Sequence, residues 1–363
     1  MSSAFVSALR RDFALHRDFL WGLCYRMTGS AADAEDIVQD TFERALRNPP
    51  DDAERSLRPW LARVAINLSC DHLRRRKRVP YRGTWLPEPV PTETLRAQLD
   101  DSRLDSSQGA RADARYELLE STTFAFLLAL EALTPSQRAV LLLRDVFDYS
   151  VRETAAALEL SEANVKTTLH RARAAMAKYD AQRCIPTAKL RKQTERVLRR
   201  FMLHLATDNV RAIEALLRED VVALNDPGEF VAARKAVVGR AKVVLFHRKI
   251  TQLVDLVHKR ARIGAADLNG LPALVLEYDP ARSDFAARQV FLIQLDADGR
   301  ISQLSTVLAS QKLTRVRFDQ LRPFNLLERL TATSIRGAMT RLQPAAQRLS
   351  RHIQVHPRSR ARR

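Results

Sequence analysis

Glycine is scarce in this chain, and so is cysteine. Ten glycines in 363 residues fall well below the usual share of about 7 per cent, and none sits in a spacing that could cradle a phosphate, which argues against a nucleotide-hydrolysing enzyme. The three cysteines, Cys24, Cys70 and Cys184, are odd in number, widely separated and without a Cys-x-x-Cys or a neighbouring histidine pair. Neither a disulfide framework nor a zinc site is expected of them, and they read as reduced core thiols. Long apolar runs are missing too: stretches such as 124–130 fall far short of the roughly 20 residues of a spanning helix, and residues 1–13 lack a signal-peptide core. The expectation is a cytoplasmic chain with no membrane span. Acids are in deficit, 42 Asp and Glu against 60 Lys and Arg for a net charge of +18. That balance favours a polyanionic partner without deciding between nucleic acid and an anionic membrane surface. The length exceeds what one core usually serves, so two or three domains are expected.

What is present is clearest at 134–179. Thr134-Pro135-Ser136-Gln137 offers an N-cap hydroxyl, a proline preset for the first turn and a glutamine three residues on, before the apolar run 139–143. Ser150-Val151-Arg152-Glu153 is a second capping box, followed by Ala155, Ala156 and Leu158 as the packing residues of a short helix. Ser161 can cap a third helix in which Val165, Leu169, Ala172 and Met176 recur at spacings of four, three and four, one buried stripe. Its other faces carry Asn164, Lys166, Thr167, His170, Arg171 and Arg173. Two short helices joined by a tight turn, the second presenting donors outward, meet the requirements of a major-groove reader; a solvated helical hairpin is the bland alternative.

Residues 1–78 read as helical: Phe5, Leu9 and Phe13, then Phe19, Leu20, Leu23, Cys24 and Met27, keep helix spacing up to Gly29-Ser30. From Ala31 a second helix buries Val38, Phe42, Ala45 and Leu46, and Asp36, Gln39, Asp40 and Glu43 share its outer face. Asn48-Pro49-Pro50 ends it. Pro59 opens a third helix with Trp60, Leu61, Val64, Ala65 and Leu68 on its apolar face; Arg63, Asn67, Asp71 and Arg74 lie along its exposed side, and it ends in Arg74-Arg75-Arg76-Lys77-Arg78. Cations suit a helix C-terminus, but five in a row exceed that need, and their repulsion is better tolerated against phosphates.

The segments AEDIVQDTFERAL, RPWLARVAINLSCDHLRRRKR and LTPSQRAVLLLRDVFDYSVRETAAALELSEANVKTTLHRARAAM resemble regions 2 and 4 of bacterial extracytoplasmic-function sigma factors. The resemblance implies a protein that acts by binding core RNA polymerase and promoter DNA, with no cofactor and no chemistry of its own. By position, Asp36, Gln39 and Asp40 would meet the β′ clamp of the polymerase. Asn67, Asp71, Arg74 and Arg75 would face the minus-ten element, and Lys166, Thr167, His170 and Arg171 the minus-thirty-five element.

Between these regions, 79–123 is proline-rich at 86–91 and polar and Asp-rich at 100–113, an extended linker with one short helix. Its Trp85-Leu86-Pro87-Glu88-Pro89 resembles a linker motif of the sigma subgroup with a fused SnoaL-like domain, which makes Trp85, Leu86 and Pro87 the candidate regulatory contacts. From 197 the pattern becomes α+β. Helices around Val197 to Leu205 and Val210 to Leu217 precede strand-like runs at 221–224, 273–278, 289–295 and 301–307, with Asp296-Ala297-Asp298-Gly299 as a hairpin turn and a further helix at 240–253. Helices ahead of a curved antiparallel sheet suggest a cone, similar in order to SnoaL-like domains. His247, Asp255, His258 and Glu277 are its candidate acid/base groups, though nothing in the sequence places two of them on one wall. A small-molecule ligand for the cone stays open. Where the related subgroup carries Asp-Gly-Gly-Gly-Lys, this chain has Asp226-Pro227-Gly228-Glu229-Phe230. Residues 319–363 carry an incomplete amphipathic stripe at Phe324, Leu327, Leu330 and Ile335 and an Arg-rich end, which suit a solvated tail, an auxiliary nucleic-acid contact or a membrane-surface helix.

The expected fold is therefore multidomain: two all-α domains, region 2 at 1–80 and the region 4 helix-turn-helix at 128–182, separated by a linker at 81–127. A cone-shaped α+β SnoaL-like domain at 190–318 follows, then a basic extension at 319–363. Two rivals remain. A helix-turn-helix repressor leaves the 59–78 unit without a purpose, and a SnoaL-class enzyme tethered to a DNA module would need a convergent acid/base pair.

Overall fold

The computed structural model describes residues 13–48, 57–81, 83–101, 118–230, 235–280 and 285–324. Phe5, Leu9, the polar stretch 102–117, and Leu327, Leu330, Ile335 and the Arg-rich end lie outside them. The chain divides into two units. Of the described residues, the first takes in those up to 81, 85–191 and a short segment, 267–271; the second takes in 83–84, 192–266 and those from 272 on.

The first unit is helical. Helices α1 (Phe13–Thr28), α2 (Ala31–Arg47) and α3 (Leu57–Arg78) pack around Phe19, Leu20, Trp21, Leu23 and Tyr25 of α1, none more than 2 % exposed. Gly29 (φ 71) turns the chain between α1 and α2, and Ser30 accepts from the Asp33 amide to cap α2. After α4 (Thr92–Asp101), the short helix expected in the linker, come α5 (Phe124–Leu130), α6 (Pro135–Leu141), a π-turn over Leu142–Val146, α7 (Val151–Leu158) and α8 (Glu162–Asp180). Both capping boxes form, Thr134 with Gln137 and Ser150 with Glu153, and Ser161 accepts from the Asn164 amide. A single buried cluster runs from α1, α2 and α3 into α5, α6, α7 and α8. In α7 it is Ala157, not Ala156, that turns inward beside Ala155. Leu46 of α2, expected in the core, is 41 % exposed.

The second unit is built from most of α9 (Ala188–Ala206), whose first turn belongs to the first unit, with α10 (Val210–Leu216), α11 (Arg240–Val257) and strands β1 (Leu217–Asp226), β2 (Val237–Val238), β3 (His258–Leu268), β4 (Leu271–Pro280), β5 (Arg288–Leu295), β6 (Ile301–Val307) and β7 (Arg322–Pro323), the facing ends of β3 and β4 lying in the 267–271 segment of the first unit. The strands form one sheet in the order β2-β1-β6-β5-β4-β3-β7. The expected antiparallel sheet is corrected at one pairing: β1 runs parallel to β6, because β1 enters from the helices rather than from a hairpin. Val197, Phe201, Ile213, Val221, Val243, Phe291 and Leu304 belong to its core. All three cysteines are free and buried, and burial pushes the thiols up, to about 12 for Cys24 and Cys184 and about 11 for Cys70.

Candidate nucleic-acid interface

Three helices of the first unit bury one face and expose the residues singled out above. Along α2, Ala34, Ile37, Val38, Thr41, Phe42 and Ala45 are buried, and Asp36, Gln39 and Asp40 stand in solvent. Along α3, Leu61, Ala65, Ile66, Leu68 and Leu73 are buried while Asn67, Asp71, Arg74 and Arg75 are exposed, Arg74 donating to Asp71 at 2.8 Å. An exposed ion pair of that kind is worth about 0 to 1 kcal/mol, so phosphate can exchange for it easily. Along α8, Val165, Leu169, Ala172, Met176 and Tyr179 are buried, and Lys166, Thr167, His170 and Arg171 are exposed.

Some expected free cations are tied to acids of the fold instead. Arg63 is half-buried and donates to Glu159 at 3.0 Å. Arg173 makes a two-pronged contact with Asp145. Within the five-cation run Arg76 turns inward: it donates to the Thr28 carbonyl at 2.8 Å and to both oxygens of Glu131, and its guanidinium lies 4.0 Å from the centre of the Trp85 ring. Arg138, also joined to Glu131, is buried and donates to the carbonyls of Met27 and Leu130 at the end of α1 and of α5. Such helix-terminal carbonyls lack intrahelical partners, which is why arginines in these places stabilise rather than bind elsewhere.

The linker segment 85–92 is built into the first unit. Trp85 lies across Gly29, where a Cβ would come within 2.4 Å of the ring, so only glycine fits beneath it. Leu86 and Val90 are fully buried. Glu88, 1 % exposed, accepts through Oε2 from the amides of Ala31 and Ala32 at 2.7 and 3.1 Å, a carboxylate on the N-terminus of α2. The Tyr25 hydroxyl donates to the Glu88 carbonyl at 2.9 Å. Asn269, 1 % exposed and left-handed (φ 51), completes the arrangement. Its Nδ2 donates to Tyr25 Oη and to the Thr122 carbonyl, its Oδ1 accepts from the Val90 amide, and its own amide donates to the Val90 carbonyl. Glu88 entered the sequence reading only as a member of the linker motif, without a role, and Asn269 not at all; the Asn-Gly dipeptide at 269–270 is a turn signal that points to the second.

In the second unit His247 is buried among Phe201, Phe246 and Phe291 with Nδ1 against the Val243 carbonyl, and burial brings its pKa down to about 4, so it is neutral at pH 7. Glu277 is held by Arg262 and Arg288. These contacts give both groups structural work and do not make them an acid/base pair; the side chains of Asp255 and His258 lie outside the described residues.

The Sigma-70 region 2 family model matches residues 13–79, and the Sigma-70 region 4 model residues 123–176. The ECF RNA polymerase sigma factor SigJ of Mycobacterium tuberculosis is 35% identical over 238 residues, 65% of this chain and 70% of that protein. This chain belongs to the extracytoplasmic-function family of RNA polymerase sigma factors. SigW of Bacillus subtilis is 32% identical over 45% of this chain and 84% of its own length. The crystal structure of Mycobacterium tuberculosis SigJ superposes with a TM-score of 0.59 at 28% identity, covering 84% of this sigma factor and 98% of that chain. The architecture of helical sigma regions followed by an α+β domain is thus shared beyond the two matched regions. Among the described residues no helix is long and apolar enough to cross a membrane.

Proposed function

We propose that this sigma factor docks the Asp36, Gln39 and Asp40 face of α2 on the clamp of core polymerase, offers Asn67, Asp71, Arg74 and Arg75 of α3 to the minus-ten element, and reads the minus-thirty-five element with Lys166, Thr167, His170 and Arg171 of α8. The observation that supports this reading is the sorting of side chains: each of the three sets is exposed on a helix whose opposite face is buried, while neighbouring Arg63, Arg76 and Arg173 are tied into the fold. The test is run-off transcription from genomic DNA with purified core polymerase. Discrete starts that depend on this protein are expected, and Asp36→Lys with Asp40→Lys should abolish co-purification with core, since like charges repel at a basic docking surface. Unimpaired co-purification would overturn the docking assignment.

Regulation by the C-terminal domain is the second part of the proposal. The two promoter elements are about 25 base pairs apart, about 85 Å of duplex at roughly 34 Å per ten pairs. Helices α3 and α8 share one buried cluster, so the first unit must open before both elements can be read. The 85–92 segment, with Glu88 on α2 and the Val90 backbone on Asn269, is the part we assign to holding it closed. Residues 267–271, which belong to the first unit while spanning the turn from β3 to β4, are the covalent link to which we assign the C-terminal domain's influence on this equilibrium.

A further inference from the structure

Helix α9 carries six cations, Lys189, Arg191, Lys192, Arg196, Arg199 and Arg200, and a single acid, Glu195. Pairing divides the cations into two groups. Arg191 donates to Asp267 at 2.6 Å, and Arg199 donates to Glu195 at 2.9 Å and stacks on Phe324. Lys189, Lys192, Arg196 and Arg200 are exposed, and their side chains make no ion pair or hydrogen bond among the described residues. Their spacing of three, four and four puts them on one side of the helix, turned away from Thr194, Val197, Leu198 and Phe201, which are buried. The row is about 16 Å long at roughly 1.5 Å per residue.

Like charges three or four apart weaken a helix by about 0.2 to 0.5 kcal/mol per pair, so the row persists against local stability. Its partner should be a polyanion of comparable length. Over about 16 Å a DNA duplex presents on the order of ten phosphates, roughly one per 1.7 Å of axis. An anionic bilayer would also attract the charge, but a helix that lies in headgroups adds exposed apolar side chains beside its cations. The large exposed apolar residues of the described chain, Leu46, Val79, Tyr81, Val238 and Leu245, all lie off α9.

We propose that Lys189, Lys192, Arg196 and Arg200 form a contact with the phosphate backbone of promoter DNA, lying outside regions 2 and 4 and adding affinity without reading sequence. The proposal rests on the sigma-factor reading only for the identity of the DNA. The test uses full-length protein with core polymerase on one of its own promoters, measuring affinity against salt. Replacing all four residues by Gln, a good helix former, should lower the slope of log K against log salt by about 0.9 for each phosphate that is no longer neutralised. The expected fall is about 2 to 3.5, with binding weakened at least about tenfold near 0.15 M salt. The transcription start and base preferences should stay as they were. Two companions guard against misfolding and a bare net-charge effect. Lys189→Arg, Lys192→Arg, Arg196→Lys and Arg200→Lys together should keep the slope, and Arg191→Gln with Arg199→Gln should leave it nearly unchanged. An unchanged slope in the four-Gln variant would overturn the proposal, as would an equal fall in the variant lacking the two paired arginines. A four-Gln variant that keeps its DNA slope but loses binding to phosphatidylglycerol vesicles would assign the row to lipid. Absence of any specific transcript from the unaltered protein would instead count against the sigma-factor reading.

Discussion

Helices α3 and α8 both present donors to solvent, but they are held very differently. Of the 22 residues of α3, nine are buried, and Arg76 near its end is fastened to Thr28, Glu131 and Trp85. Of the 19 residues of α8, five are buried, in one stripe, and most of the circumference is free. A helix fixed along its length makes a stiff platform, suited to holding strands apart; one fixed along a stripe can enter a groove and be read from both flanks. The contrast also shows that cations adjacent in sequence differ in kind: Arg74 and Arg75 are display, Arg76 is architecture.

The largest effect should come from removing an architectural cation. Arg138→Met takes a buried guanidinium from the Met27 and Leu130 carbonyls and from Glu131, and a loss of about 3 kcal/mol or more is expected in chemical denaturation. Arg173→Ala, which breaks an exposed pair with Asp145, should cost within about 1 kcal/mol. Equal costs would end the distinction between the two classes.

Next comes the clasp on the linker. Asn269→Gly keeps the left-handed backbone but leaves the Val90 amide and the Thr122 carbonyl without their side-chain partner; about 2 kcal/mol of weakening is expected. The effect on function separates a strut from a regulator. Transcription should change in level, with the same start site, and small-angle scattering should show an expanded population. A change in stability alone, with output and dimensions as before, would make Asn269 structural only.

Within the displayed set the effect is on recognition. Arg171→Ala should lose about 1 to 3 kcal/mol of base discrimination at the minus-thirty-five element if its contact is bidentate. Arg74→Ala with Arg75→Ala should weaken promoter binding without changing stability in denaturation by more than about 0.5 kcal/mol. Arg76→Ala should do the reverse, and binding and footprint data on the three variants check the assignment.

What could be read in the sequence was local. Capping residues lie three apart from what they cap, so Thr134, Ser150 and Ser161 announced their helices, and the Val165 to Met176 stripe announced its buried face. The sheet was legible where apolar residues dominate, at β4, β5 and β6. Strand β3 was missed because His258-Lys259-Arg260-Ala261-Arg262 breaks the apolar alternation. The hydrogen bonds by which Arg76 turns inward, Glu88 caps α2 and Asn269 is held reach partners 48 to 244 positions away. No local pattern carries such information. The resemblance to the sigma subgroup directed attention to Trp85, while its seat on Gly29 came from the structure.

The smallest expected effect tests whether Glu277 is a strut like Arg138 or a group poised for chemistry. Burial, the largest influence on it, acts to raise its pKa, but the hydrogen bonds from Arg288 and Arg262 and their charges together outweigh this and hold it below the ordinary glutamate value. The folded protein therefore binds this proton more weakly than the unfolded chain, whose glutamate titrates near about 4.3. Its contribution to stability is full above that pH and is lost as pH falls through the depressed folded value. Glu277→Gln should thus be weaker than the unaltered protein by about 1 kcal/mol near neutral pH, and the two denaturation curves should converge in acid. A gap that persists in acid would mean that packing, not charge, sets the cost. A general acid would need the opposite shift, so a gap that closes above the ordinary glutamate value would return Glu277 to the groups capable of proton transfer.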